Sequence, residues 1–232
     1  RNPQKRITTF LQDKENNIWF ATAGEGLYYI RNKKIYLLNE SEGMSDLNVS
    51  AIAVTKTNVV LAGTDQGINI CSISGNKKTI AVIGPGQGLP DYIVTSIESA
   101  GNDLFWVGMQ DKGFCLYDHL TKKIKTTAAI NGWNHGQINS MIVDDNTLWI
   151  ATQLHGLLKY IIRTDSISTV KETGEFLSIK NLLKDNQGNI WLTSPEWGLI
   201  RTPGETLKLF PLTDPPIFEH IHTILSDKEG NI

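Results

Sequence analysis

The chain has 232 residues, 40% hydrophobic and 20% charged, and 22 Lys and Arg against 24 Asp and Glu leave a net charge of −2. That composition fits a globular domain and excludes a disordered one. Basic runs never exceed a Lys pair, so nucleic acid is not an expected partner, and no stretch approaches the roughly 20 apolar residues of a span, so direct membrane insertion is not expected either.

From the N-terminus, residues 7–12, 18–22, 27–31 and 35–38 form short runs rich in Ile, Tyr, Thr and Leu, separated by Asn, Asp, Gly and Lys. Such punctuation predicts four strands rather than helices. The pattern then recurs. Repeats occupy residues 7–48, 49–93, 94–137, 138–178 and 179–220, with a truncated copy at 221–232. Their opening residues Ile7, Val49, Val94, Ile138, Ile179 and Ile221 lie 42, 45, 44, 41 and 42 residues apart. A unit of roughly 40–45 residues made of strands is one blade of a β-propeller. The predicted fold is therefore all-β, a single partial propeller over 1–232 with about five four-stranded antiparallel blades and the first strand of a sixth. A ring of seven such units would need roughly 300 residues. The chain is accordingly expected to be a piece of a longer polypeptide, with open blade edges prone to self-association.

Each copy repeats Asp-x-x-x-Asn-Ile-Trp, then an apolar residue, Ala-Thr, and Gly-Leu. Trp19, Trp106, Trp149 and Trp191 are equivalent, and the second copy loses its Trp at Leu61. Indoles at those sites are expected to be buried between blades. Two residues on, Ala21, Gly63, Gly108, Ala151 and Thr193 keep the packing close. Asp13, Asp144, Asp185 and Asp227 precede the first tight turn, where a carboxylate accepts backbone N–H groups. Gly26, Gly67, Gly113, Gly156 and Gly198 follow the second strand, where a positive φ is expected. Cys71 and Cys115 sit on third strands and are expected in the core, not in a disulfide. All of these are structural roles.

These residues resemble the two-component regulator propeller repeats. That family pairs an Ile-x-x-Ile-x-x-Asp strand with Gly-Asn-Ile-Trp-apolar-Gly/Ala-Thr and Gly-Leu-x-x-Tyr. Residues 185–192, the run Gly26-Leu27-Tyr28-Tyr29 and the linker Gly86-Gln87-Gly88-Leu89-Pro90-Asp91 match it closely. The resemblance covers essentially the whole chain. It implies the extracytoplasmic, periplasmic sensor region of a hybrid histidine kinase, in which paired seven-bladed propellers sense carbohydrates and signal through a β-sandwich to kinase modules across the membrane. The chain holds neither sandwich nor kinase sequence, so no kinase activity belongs to these residues. WD and kelch signatures are absent. The Asp13-to-Trp19 spacing of six also differs from the five of sialidase Asp-boxes. Only five arginines are present, of which Arg31, Arg163 and Arg201 are expected after third strands, on the face away from a ligand.

In a propeller, the loops joining second to third strands share one face with the loops joining successive blades. Positions there that vary between copies are free of the common framework. They are Glu25, Gln66, Asp111, His155 and Trp197, joined by Trp133, Asn134 and His135 from an inter-blade loop. Aromatic planes beside amides, carboxylates and imidazoles suit a sugar, whose CH face stacks while its hydroxyls hydrogen-bond. The candidate ligand-binding set is Glu25, Gln66, Asp111, Trp133, His135, His155 and Trp197. No catalytic residue, cofactor or metal site is expected. His220 and His222 share a strand face without a third ligand, and the Asp227-Lys228-Glu229-Gly230-Asn231 turn lacks the alternating oxygens of a calcium loop. The expected function is ligand sensing within a signalling chain, with an oligosaccharide or other small ligand and the rest of the parent sensor as partners. A non-enzymatic protein-interaction propeller is the second reading, and a polysaccharide-processing enzyme the third.

Overall fold

The computed structural model describes residues 6–74, 77–173, 178–196, 198–202, 208–210, 221, 223–226, 229 and 232. It contains five four-stranded sheets, each strand pairing antiparallel with the next in sequence. The first blade is β1 (Arg6–Gln12), β2 (Ile18–Ala23), β3 (Leu27–Arg31) and β4 (Lys34–Leu38); the second is β5 (Val49–Val54), β6 (Val60–Thr64), β7 (Gly67–Ser74) and β8 (Lys77–Ile83). The third is β9 (Val94–Gly101), β10 (Leu104–Met109), β11 (Phe114–Asp118) and β12 (Lys123–Lys125); the fourth is β13 (Ile138–Asp144), β14 (Thr147–Thr152), β15 (Leu157–Ile161) and β16 (Ser166–Thr169). The fifth is β17 (Asn181–Lys184), β18 (Ile190–Ser194), β19 (Gly198–Thr202) and β20 (Lys208–Phe210). This is the all-β propeller architecture that the repeat period implies. The described residues beyond 220 form no strand.

The strands group into two compact units, residues 1–126 with the first three blades and 127–232 with the last two. In the first unit, one apolar layer joins Trp19, Ala21 and Tyr29 to Val49, Val60, Ala62 and Cys71 of the next blade. A second joins Leu61 and Ile70 to Val94, Ile97, Phe105 and Val107. In the second unit, Ala151 and Leu157 pack with Ile179, Leu182, Ile190 and Leu192. The second blade has a neighbour on each face, which is why β6 is buried along its length. At Gly63 an added Cβ would lie 2.5 Å from Val94 Cγ1 of the following blade, so the small residue there is set by blade-to-blade contact. Cys71 and Cys115 are free and buried, and burial pushes both thiols up to about 12.

The recurring Asp does more than shape a turn. Asp13 Oδ1 accepts N–H groups of Glu15 and Asn17, both at 2.9 Å, while Oδ2 accepts Asn17 Nδ2 at 2.9 Å and the Trp19 indole Nε1–H at 2.8 Å. Asp185 repeats the pattern with Gln187, Asn189 and Trp191. The six-residue spacing therefore brings a carboxylate under the indole that the blade interface buries. In the second copy Thr55 stands at the Asp position, its hydroxyl accepting from Val59 N, and Leu61 replaces the Trp. The second copy therefore lacks both members of the pair, whereas the third keeps Trp106 with Ala100 at the Asp position. Asp144 departs from expectation. Its turn is one residue shorter, with Asp145 at φ 50°, and Asp144 Oδ1 instead takes Lys184 Nζ of the next blade at 2.6 Å. Trp149 Nε1 accordingly has no hydrogen-bond partner among the described residues.

Burial of the four indoles is uneven. Trp19 is 2% and Trp106 3% exposed, whereas Trp149 and Trp191 are half-buried. The residue paired across the sheet accounts for the difference. Tyr29 stacks on Trp19 with centroids 4.8 Å apart. Lys159 and Arg201 instead lie over Trp149 and Trp191 at 5.6 and 5.5 Å, cationic heads that must stay near water. Arg201 thus stands within β19 rather than after it, because its aliphatic stem and guanidinium cover the indole.

A β-bulge in the first strand of most blades was not visible in the repeat pattern. Register slips at Thr8 and Asn139, so each polar side chain leaves the sheet face and reaches the opening residue of the following blade. Thr8 Oγ1 donates to Val49 O at 2.6 Å and Asn139 Nδ2 to Ile179 O at 2.7 Å.

Candidate functional site

The Ala-Thr that ends each second strand builds the loop carrying the variable residue. Thr22, Thr64 and Thr152 donate their hydroxyls to the carbonyls of Gly26, Gly67 and Gly156 at 2.8, 3.0 and 2.8 Å. The same hydroxyls accept the backbone N–H of Glu25, Gln66 and His155. The five glycines closing these loops all have positive φ, from 67° to 104°. At Gly26 and Gly67 a Cβ would also fall 2.3 and 2.2 Å from a carbonyl oxygen. The loop is a fixed frame with one variable position.

In the first unit the three variable residues stand apart from one another. Glu25 is half-buried and accepts the Tyr28 hydroxyl at 3.0 Å, while Tyr28 stacks on Phe20 at 5.0 Å. Gln66 is exposed beside Asp65, whose carboxylate takes Asn48 Nδ2 of the preceding linker at 2.7 Å. Asp111 is exposed, and its N–H donates to Asp91 Oδ2 of the preceding linker at 2.9 Å. Linkers and loops are thus tied by acid-to-amide contacts. The linkers themselves are short 3-10 turns closed by Gly43 and Gly88 at φ 103° and 97°, after which Met44 and Leu89 are buried.

The second unit is built differently at the corresponding place. Trp133 and His135 of the linker meet His155 of the β14–β15 loop. Trp133 and His135 pack edge-to-face with centroids 4.9 Å apart, and His135 and His155 do the same at 5.1 Å and 89°. Trp133 Nε1 donates to Gly136 O at 2.9 Å, which fixes the indole, and Gly136 takes φ 72° to permit the turn. Gln153 N donates to Gln137 O at 2.9 Å and so locks loop to linker. The far end of the linker is held by Asp165, whose carboxylate accepts Ala128 N at 2.9 Å and the Tyr160 hydroxyl at 3.0 Å.

All three rings are half-buried. The Nδ1 atoms of His135 and His155 are both buried, and neither has a hydrogen-bond partner among the described residues. Burial, and then the neighbouring His155, hold the His135 imidazole below its ordinary 6.5, so it is neutral near pH 7. A neutral imidazole both donates and accepts. Of the seven sequence candidates, the structure joins Trp133, His135 and His155, and it places Glu25, Gln66 and Asp111 at equivalent loop positions of separate blades. Trp197 lies outside the described residues, as do His220, His222 and most of the turn at 227–231. Among the described residues no group of three or more His, Cys, Asp or Glu could hold a metal ion. Thr152 and Gln137 were missed from the sequence. The repeated Thr one residue past each strand's small residue was the available signal.

The fold and loop frame define a repeat-built β-propeller. Residues 3–24, at the first blade, match the family model described as Two component regulator propeller, the repeat that the sequence resembles. Histidine kinase P4 of Formosa agariphila is 27% identical over 199 residues, covering 77% of this chain and 14% of that relative. The chain thus spans only a small part of the curated relative it matches. Among solved structures, the extracellular domain of a hybrid two component system from B. thetaiotaomicron superimposes with a TM-score of 0.73 at 22% identity, covering 87% of this chain and 29% of that one. Virginiamycin B lyase from Staphylococcus aureus superimposes at 0.68 and 15% identity, covering 91% and 71%. At these identities both structures show the fold alone. No helix among the described residues is long and apolar enough to cross a membrane.

Proposed function

We propose that this chain is the extracytoplasmic, periplasmic sensing propeller of a hybrid two-component signalling protein, and that it binds a glycan fragment without turning it over. The observation that carries the binding reading is the Trp133–His135–His155 cluster. It arises at the loop position that varies between repeats, and its side chains pack on one another where other blades use acids to tie linker to loop. A half-exposed indole beside two imidazoles offers a stacking surface and edge hydrogen bonds together, the two demands of a pyranose ring. The matched repeat and the histidine kinase relative support the signalling half of the reading. Ligand would act by favouring one arrangement of the parent sensor over another, since equal affinity for both shifts nothing.

Calorimetry of the chain against a panel of oligosaccharides tests this. Binding that Trp133→Ala abolishes, with the melting temperature changed by less than about 2 °C, is the expected result. Release of new reducing ends during incubation would instead support the enzyme reading, and no heat from any sugar would remove the sensing one.

A further inference from the structure

Resting on the glycan reading above, we infer that the Trp133–His135–His155 site takes a neutral sugar and discriminates against uronates and sulfated sugars. The carrying observation is the absence of charge from both segments that build the site. No Asp, Glu, Lys or Arg occurs from Thr126 to Val143 or from Asn146 to Leu158. The equivalent linker and loop of the second and third blades are charged, with Glu40, Glu42, Asp46 and Asp65 in one and Asp91, Asp111 and Lys112 in the other. The neutrality is therefore local to this site rather than a property of the repeat.

Three of the charges near these segments are engaged elsewhere. Asp144 takes Lys184 at 2.6 Å, Lys159 lies over the Trp149 ring, and Asp165 holds Ala128 N and Tyr160. An anionic sugar would leave its carboxylate or sulfate against rings and amides with no cation to replace its hydration, an unfavourable transfer. Hydroxyl groups make no such demand. The same two segments carry the exposed amides Asn134 and Gln153 beside the imidazoles of His135 and His155 in sequence. The amides and the neutral His135 imidazole each donate and accept, matching a hydroxyl that does the same. Because His135 is held neutral by burial and by His155, it adds no fixed positive charge that would attract an anion.

Calorimetry of the full chain with neutral oligosaccharides in one arm and uronate-containing or sulfated ones in the other decides the matter. Neutral sugars are expected to bind at least about tenfold more tightly than acidic ones of the same length, with His135→Ala and His155→Ala each weakening them about tenfold or more. His135→Gln, which keeps a donor and an acceptor, should retain most of the affinity and guards against a folding artefact. Asn134→Lys, at an exposed tip, should narrow the preference by admitting acidic sugars. Acidic sugars binding more tightly, with loss in the His variants, would overturn this inference and leave the glycan reading standing. Neutral binding untouched by all three His variants would overturn the placement of the site. No binding in either arm would overturn both.

Discussion

Removing Asp13 should show whether the repeat's Asp and Trp act as one unit. Asp13→Ala leaves the Trp19 indole N–H buried without an acceptor, at about 1–3 kcal/mol. It also releases two backbone N–H groups and a side-chain amide that can donate to water in part, for a total of about 2–4 kcal/mol. Trp19→Phe removes the same hydrogen bond from the other side while keeping most of the stacking on Tyr29. A double-mutant cycle isolates the shared term, expected at about 1.5–3 kcal/mol for a hydrogen bond to a charged acceptor. Urea melts followed by far-UV circular dichroism at neutral pH give the four stabilities. Trp149→Phe is the internal control, because its Nε1 has no partner among the described residues; it should cost less than about 1 kcal/mol. A coupling below about 0.5 kcal/mol between Asp13 and Trp19, or an equal loss in the control, would refute the reasoning.

Two further outcomes follow from the same framework. Burial raises the Asp13 and Asp185 carboxyls, but hydrogen bonds from the paired Trp, Asn and backbone N–H groups outweigh it and hold both below the ordinary 3.8. Their contribution to stability is therefore complete above pH 3.8 and disappears as pH falls through the native values. Melting temperatures of wild type should drop steeply below that point, and an Asp13→Asn, Asp185→Asn double variant should show a shallower drop; parallel curves would count against it. The outward face of the first blade carries Ile7, Phe10, Ile18 and Ile35 at 60, 60, 43 and 64% exposure, and we propose that copies of the chain self-associate through this face. Sedimentation at rising concentration should show oligomers that Phe10→Glu disperses, whereas a monomeric wild type would refute the proposal.

Blade number, strand order and the positions of Trp, Gly and small residues were legible because each is fixed by a contact that every copy must repeat. The period of the opening Ile or Val reports the blade, and the glycines report a loop whose carbonyl leaves no room for a Cβ. What the repeat concealed were relations between positions. Asp13 and Trp19 each carried a correct separate role, but the hydrogen bond joining them appears in sequence only as their joint replacement by Thr55 and Leu61. The bulge at Thr8 and Asn139 was concealed for a similar reason, since a polar residue after an opening Ile reads as ordinary alternation until the register slips. Averaging over copies also flattened differences that matter. Lys159 and Arg201 occupy the Tyr29 position, and the two indoles beneath them are the half-buried ones.

The candidate site was reached by the opposite route, from positions where the copies disagree, and this succeeds only where disagreement has one cause. Glu25, Gln66 and Asp111 vary without meeting one another: Glu25 accepts from Tyr28 of its own blade, Asp111 offers only its backbone N–H to Asp91, and Asp65 rather than Gln66 takes Asn48. Trp133, His135 and His155 vary together, across two loops joined by the Gln153-to-Gln137 hydrogen bond. Their rings contact one another and leave two buried imidazole nitrogens unpaired. Framework atoms such as Trp149 Nε1 also lack a partner among the described residues, so the missing partner alone does not mark a site. What sets this place apart from the Asp13 turn, whose carboxylate takes four donors, is that two such nitrogens belong to rings in contact with each other across one linker and one loop.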